Sequence, residues 1–80
     1  MRKNVNDVTI IRIDMIKVRG RFQQFKPSQD KIEAKLNTFI DNGKFDKPII
    51  IDNNKVLKDG YISLIVAKMI GLKVVSVIYV

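Results

Sequence analysis

The sequence predicts a single small domain of the mixed α/β class, in which strands and helices alternate along the chain. The chain has 80 residues and 46% of them are hydrophobic, which suits one modest core and argues against a disordered chain. The spacing of the apolar residues also changes several times between a strand-like and a helical period. Repeats, linkers and low-complexity segments are absent from the sequence.

The N-terminal third is predicted to be mainly extended. Residues 1–7 are expected to form a flexible N-terminus, so the domain itself is assigned to residues 8–80. β-Branched residues dominate positions 8–13, which indicates a first strand, and Ile16-Lys17-Val18 is a second short extended segment. Positions 19–27 contain glycine and proline and have no hydrophobic period, which is typical of a loop.

The first helix is predicted to begin after Ser28, whose hydroxyl can accept a hydrogen bond from a free amide of the first turn. Asn42-Gly43 ends the helix, because glycine readily adopts the left-handed cap conformation. The apolar stripe of this helix consists of Ile32, Leu36, Phe39 and Ile40. The polar face carries Lys31, Glu33, Lys35 and Asn37.

A hairpin, a second helix and a last strand are predicted for the C-terminal half. Ile49-Ile50-Ile51 is an apolar strand, positions 52–55 form a turn in which asparagine tolerates a positive φ, and Val56-Leu57 is the returning arm. Residues 62–70 are apolar on nearly every side of a helix, which indicates burial on more than one side. Residues 74–80 form the last strand, which gives the order β-β-α-β-β-α-β.

Composition excludes several kinds of chemistry and favours a polyanionic partner. Cysteine and histidine are both absent, which excludes disulfides, thiol nucleophiles, zinc fingers and histidine-based catalysis. We expect no cofactor, no metal, no membrane span and a cytoplasmic location. Fifteen basic and eight acidic residues leave a net charge of +7, which favours nucleic acid before an anionic membrane surface. Alternatively, the lysines only keep the protein soluble.

Arginines and aromatic rings are interleaved between positions 19 and 26. Cations neutralise phosphates and rings stack on bases, so this composition indicates contact with a single strand or a phosphate backbone. Alternatively, Phe22 and Phe25 anchor the loop to the core and the arginines are only solvated. The residues predicted to contact nucleic acid are Arg12, Lys17, Arg19, Arg21, Phe22 and Lys26.

A second candidate site lies where Asp59-Gly60 opens the second helix. The free amides and the dipole at a helix start suit an anion, and glycine lets a phosphate approach the backbone closely. Structural alternatives exist: Asp59 as a cap of the following amides, Tyr61 as a ring packed on the sheet, and Ser63 as a solvated residue. The candidate phosphate or nucleotide site comprises Asp59, Gly60, Tyr61 and Ser63.

Three segments of the sequence resemble the ParB/sulfiredoxin superfamily. They are Lys47-Pro48-Ile49-Ile50-Ile51-Asp52, Val56-Leu57-Lys58-Asp59-Gly60-Tyr61 and Ala67-Lys68-Met69-Ile70-Gly71-Leu72-Lys73-Val74-Val75-Ser76-Val77. Upstream, Arg21-Phe22 and Pro27-Ser28 are similar to small bacterial and mobile-element members. The resemblance covers roughly residues 8–80, and it implies a compact ParB/sulfiredoxin-like domain with a phosphate site at the start of the second helix.

The chain departs from the superfamily pattern directly after that turn. Active relatives place histidine and arginine there, whereas this chain has Ile62 and Ser63, which supply no cation to a transferred phosphoryl group. We therefore expect no catalytic residue. An open basic pocket at the turn would favour ligand binding, and a pocket filled by Ile62 would exclude it.

The expected function is that of a non-catalytic ParB-like domain. It would bind nucleic acid through backbone phosphates or support a plasmid or phage DNA-maintenance machine. One alternative is a protein-interaction or homo-oligomerisation module, in which the apolar last strand, residues 74–80, pairs at a sheet edge. The other is a residual nucleotide-binding enzyme of the phosphotransfer type.

Overall fold

The fold is built on one four-stranded mixed sheet, seen in a computed structural model that describes residues 8–80. The strands are β1 (Thr9–Arg12), β2 (Ile49–Ile51), β3 (Leu57–Asp59) and β4 (Val74–Tyr79). β4 pairs antiparallel with β1 and parallel with β2, and β2 forms an antiparallel hairpin with β3. The predicted mixed α/β class is thereby confirmed, whereas the predicted flexible N-terminus, residues 1–7, lies outside the described residues.

β4 is an inner strand of the sheet, which has the order β1-β4-β2-β3. The hypothesis of self-association through an exposed edge at residues 74–80 is therefore wrong. The apolar side chains of β4 are explained by burial, because Val75 and Val77 belong to the core. The order of strands depends on pairing between distant segments, which local sequence patterns do not reveal.

Three α-helices and one short 3-10 helix accompany the sheet in the part of the chain that the structure describes. They are α1 (Gly20–Gln23), α2 (Gln29–Asn42), α3 (Tyr61–Met69) and the 3-10 turn Ile13–Met15. The predicted limits of α2 are confirmed, because the Lys31 amide donates to the Ser28 hydroxyl over 3.3 Å and Gly43 has a φ of 74°. Between residues 8 and 80, no helix has the length and apolarity needed to cross a membrane.

Of two local predictions for the N-terminal third, one holds in part and one is wrong. The segment at residues 16–18 is extended as predicted, but it forms only one parallel bridge, between Lys17 and Val56, in place of a full strand. The segment predicted as an irregular loop contains the helical turn Gly20–Gln23. A helix of four residues gains little from its own hydrogen bonds, so tertiary contacts must stabilise it.

The core lies between the sheet and α3. Four of the nine residues of α3 are buried, namely Ser63, Leu64, Val66 and Ala67, which confirms the expectation of burial on several sides. α2 has no fully buried residue, and Ile40, predicted as part of its apolar stripe, is 66% exposed. α2 therefore lies at the periphery, where its polar residues can line surface grooves.

The turn between β2 and β3 is organised by one carboxylate. Asp52 Oδ1 accepts hydrogen bonds from the amides of Val56 at 3.0 Å and Asn54 at 2.8 Å, and these bonds lower the pKa of Asp52, with the Val56 amide as the largest cause. The positive φ of this turn is at Lys55, at 64°, and not at an asparagine as predicted. The Asp52 bonds fix the hairpin, which in turn positions Asp59 and Gly60.

Candidate nucleic-acid interface at the start of α3

The turn before α3 requires glycine. Gly60 has a φ of 95°, and a Cβ atom at this position would lie 3.0 Å from the Cα atom of Ile49. Any side chain would therefore force the backbone of β2 away from the turn. The Gly60 amide donates a 2.8 Å hydrogen bond to Asp59 Oδ1. Asp59 was expected to cap the amides that follow it, and it caps this one.

The first amides of α3 receive no side-chain cap. Gly60 occupies the N-cap position and makes no side-chain hydrogen bond, and the Leu64 amide donates to the Gly60 carbonyl over 3.0 Å. α2 differs, because the Ser28 hydroxyl caps it. The amide protons of Tyr61 and Ile62, which are only partly buried, thus leave α3 with a positively polarised end that a hydrogen-bond acceptor can approach.

The aromatic residues of the segment 19–26 pack against the first residue of α3. The ring centroids of Phe22 and Tyr61 are 5.4 Å apart, and those of Phe25 and Tyr61 are 6.4 Å apart. Phe22 and Tyr61 also contact the core, and the Arg21 guanidinium lies 5.2 Å from the centroid of the Phe22 ring. Phe22 therefore anchors this segment to the core, as one interpretation of the sequence proposed. Phe25 remains 47% exposed.

These elements enclose an open groove of about 300 Å³, which we call the α3 groove. It is lined by Phe22, Phe25, Lys35, Lys47, Pro48, Asp59, Gly60, Tyr61, Ile62 and Ser63. Ile62 is half-buried and forms part of the wall without filling the space. Ser63 is only 1% exposed, so the interpretation of this residue as a solvated first-turn side chain is wrong.

Two lysines reach the α3 groove from other parts of the chain. Lys35 lies on α2, and its Nζ atom is 2.8 Å from Asp46 Oδ1; this hydrogen bond is the main reason why the pKa of Asp46 is lowered. Lys47 precedes β2, and it has no acidic partner within 4.0 Å among residues 8–80. Lys47 therefore contributes a cation whose charge no ion pair in the described chain offsets.

Sequence reasoning assigned no role to Lys35 or Lys47, although one signal for Lys47 was present. In an antiparallel hairpin, the residues before the first strand lie beside the residues after the second. The predicted hairpin, with its turn at residues 52–55, would place Lys47 opposite Gly60. In the structure Ile50 pairs with Asp59, so Gly60 lies beside Ile49, two residues from Lys47. Lys35 had no such signal, because its contact with the groove depends on how α2 packs against α3.

A second depression lies beside the α3 groove, along α2. It has a volume of about 240 Å³ and is lined by Lys31, Ala34, Lys35, Thr38, Asp46 and Ile62. Lys35 and Ile62 line both spaces, so the two depressions are neighbours. Lys31 adds a cation to the second depression.

The other predicted nucleic-acid contacts do not all gather at this groove. Arg12 pairs with Asp14 at 2.7 Å and lines a different depression, near Lys68 and Lys73 at the C-terminal end of α3. Lys17 is exposed beside its bridge to Val56. Arg19 and Lys26 are exposed on either side of α1. The segment 19–26 and the candidate phosphate site therefore lie side by side in the fold, whereas Arg12 lies away from both.

The strand order and the glycine turn between the hairpin and α3 define the architecture: a small α+β domain. The N-terminal end of α3 opens onto the α3 groove. Two solved structures share this architecture. A Pnob8-like ParB-N domain in its C2221 form has a TM-score of 0.76 and 27% identity over 91% of this chain. A pNOB8-like ParB N-domain has a TM-score of 0.70 and 26% identity over 98% of this chain. The chain therefore has a ParB N-terminal-like fold, as its sequence indicated.

The similarity is limited in extent and in sequence. The chain spans only 29% and 30% of the lengths of these two solved chains. No protein-family model matches the sequence, and no curated protein matches it significantly.

Proposed function

We propose that this ParB-like domain binds nucleic acid through backbone phosphates at the α3 groove. Three segments converge on the uncapped start of α3 and carry the proposal: α1 brings the ring of Phe22, beside which Arg21 lies, α2 brings Lys35, and the segment before β2 brings Lys47. Phosphate oxygens accept hydrogen bonds from lysine, arginine and the amides of a helix start alike. A polyanion therefore fits this groove better than a neutral ligand does.

The local charge balance supports electrostatic binding of moderate strength. Arg21 and Lys47 are cations without an acidic partner among residues 8–80, the charge of Lys35 is largely offset by Asp46, and Asp59 adds one negative charge at the rim. The net charge of +7 on the whole chain adds long-range attraction for a polyanion. The affinity should consequently fall steeply as salt is added.

The proposal involves binding without catalysis. Ile62 contributes only hydrocarbon to the groove, and the Ser63 hydroxyl offers one neutral hydrogen bond in place of a bidentate cation. Phosphoryl transfer needs charge stabilisation around the transferred group. Lys47 and the free amides can hold a phosphate, whereas the lining of the groove includes no arginine that could stabilise a transferred phosphoryl group through two hydrogen bonds.

A matched pair of charge-removing variants tests the proposal. We would measure the binding of a fluorescently labelled oligonucleotide to the wild type, to Lys47→Gln and to Lys73→Gln between about 20 and 200 mM salt. Loss of one phosphate contact should reduce the slope of log affinity against log salt by about 0.7 to 0.9 in Lys47→Gln. Lys73→Gln removes the same charge at the other end of α3 and should leave the slope unchanged.

Three results would refute the proposed function. They are no binding at the lowest salt concentration, an affinity that does not depend on salt, and equal slope changes in the two variants. The last result would mean that the affinity reflects the total charge of the protein and not the α3 groove.

A further inference from the structure

We infer that the α3 groove selects single-stranded over double-stranded nucleic acid, because an unpaired base can stack on the ring of Phe25. This inference rests on the proposed function and adds a strand preference to it. It also chooses, for Phe25, stacking on a base over the alternative of an anchor in the core.

The two phenylalanines of this segment have different surroundings. Phe22 is half-buried, with Tyr61 on one side at 5.4 Å and the Arg21 guanidinium at 5.2 Å, so its ring is already occupied. Phe25 is 47% exposed, and its contact with Tyr61 is tilted by 52°. The rings of Phe25 and Tyr61 are therefore not stacked in parallel, and about half of Phe25 stays open to solvent. Phe25 is thus held in place and still accessible.

The position of Phe25 relative to the cations matches the chemistry of one nucleotide. Phe25 and Lys47 line the same groove of about 300 Å³, so a base on the ring and the phosphate of the same nucleotide at Lys47 can be bound together. Lys31 and Lys35 line the neighbouring depression along α2, where a following phosphate can meet Lys31 as a second cation. An aromatic platform beside a line of basic groups is the usual arrangement for single-strand binding.

A duplex can use only part of this surface. Its bases are stacked inside the helix, so they offer no face to a ring at the wall of a concave groove. Reading a duplex groove requires a protruding helix or ribbon, whereas α1 is a four-residue turn packed against Tyr61. Stacking therefore favours the single strand alone, by about 10-fold in affinity for one base.

The test compares variants of Phe25 on two forms of the same oligonucleotide. Binding of a labelled single strand of about a dozen nucleotides and of the corresponding duplex would be measured at one low salt concentration for the wild type, Phe25→Leu and Phe25→Tyr. We expect Phe25→Leu to weaken single-strand binding about 10-fold and Phe25→Tyr to retain it. Duplex affinity should not change, because no cation is removed.

The outcomes separate this inference from the proposed function. Equal affinity of the wild type for both forms, with no effect of Phe25→Leu, would overturn the strand preference and leave phosphate binding intact. No binding of either form would overturn the proposed function itself. If an unlabelled mononucleotide displaces the probe as effectively as an unlabelled single strand does, the site holds one free nucleotide, and the inference is wrong. Thermal unfolding of each variant verifies that the exposed substitution leaves the fold intact.

Discussion

The two ends of α3 both carry basic residues, but for different physical reasons. At the C-terminal end, where Lys68 and Lys73 lie, the helix dipole favours cations. At the N-terminal end, Lys35 and Lys47 lie near free amides, where the same dipole disfavours them. Cations at the C-terminal end stabilise the helix directly. Cations at the N-terminal end do not, and they become favourable there when an anion is close by. The position of a charge relative to the helix is thus more informative than the total charge.

The glycines that bound α3 show the same contrast in packing. Gly60 and Gly71 both have positive φ values, of 95° and 81°. Gly60 lies against the backbone of Ile49, whereas nothing lies within 4 Å of a Cβ atom built on Gly71. The N-terminal end of α3 is therefore fixed to β2, which keeps the α3 groove in a defined shape.

The largest expected effect comes from adding one methyl group at each of these glycines. Gly71→Ala should lower the free energy of unfolding by about 1 to 2 kcal/mol, the cost of a left-handed conformation for alanine. Gly60→Ala should lower it by about 3 kcal/mol, because contact with the Ile49 backbone adds to that cost. Urea unfolding followed by circular dichroism measures both. Equal losses would show that Gly60 is not packed against β2.

A smaller effect is expected from releasing one cation at each end of α3. Asp46→Asn frees Lys35 beside the α3 groove, and Asp14→Asn frees Arg12 beside the other depression. Each change raises the net charge by one. Asp46→Asn should strengthen oligonucleotide binding about two- to five-fold at low salt, and Asp14→Asn should leave it nearly unchanged. Similar gains in the two variants would contradict the assignment of binding to the N-terminal end.

The smallest effect is the acid sensitivity of the Lys35–Asp46 pair. The hydrogen bond that Lys35 donates to Asp46 holds the pKa of Asp46 below the ordinary value of 3.8. The carboxylate therefore stabilises the fold above pH 3.8, and that contribution is lost as the pH falls further. Between about pH 5 and pH 3, the melting temperature of the wild type should fall more than that of Asp46→Asn. Parallel decreases would show that the pair does not contribute to stability.

Much of the fold follows from local signals in the sequence. Ser28 and Gly43 define α2 because capping depends only on residues close in the chain. The hairpin of β2 and β3 is defined by a turn of four residues whose first member, Asp52, bonds to the next amides. α1 carries no comparable signal, because its stability comes from the contact of Phe22 with Tyr61, nearly forty positions later in the sequence.

The sequence predicted the two parts of the candidate site but not their contact with each other. Asp59-Gly60 and the segment 19–26 were each identified, yet only the folded chain shows that they share one groove. Lys35 was assigned to the polar face of α2, and its half-buried position depends on the packing of that helix. Contacts between elements decide which charges come together, and a single sequence does not encode them in any local pattern.

The most direct measurement is a nuclear magnetic resonance titration of the isotopically labelled chain with an unlabelled single-stranded oligonucleotide. If the N-terminal end of α3 is the binding surface, amide shifts should change around Phe25, Lys47 and Gly60 while those around Arg12 and Lys73 stay constant. Shifts confined to Arg12 and Lys73, or spread evenly over every exposed lysine, would contradict this account.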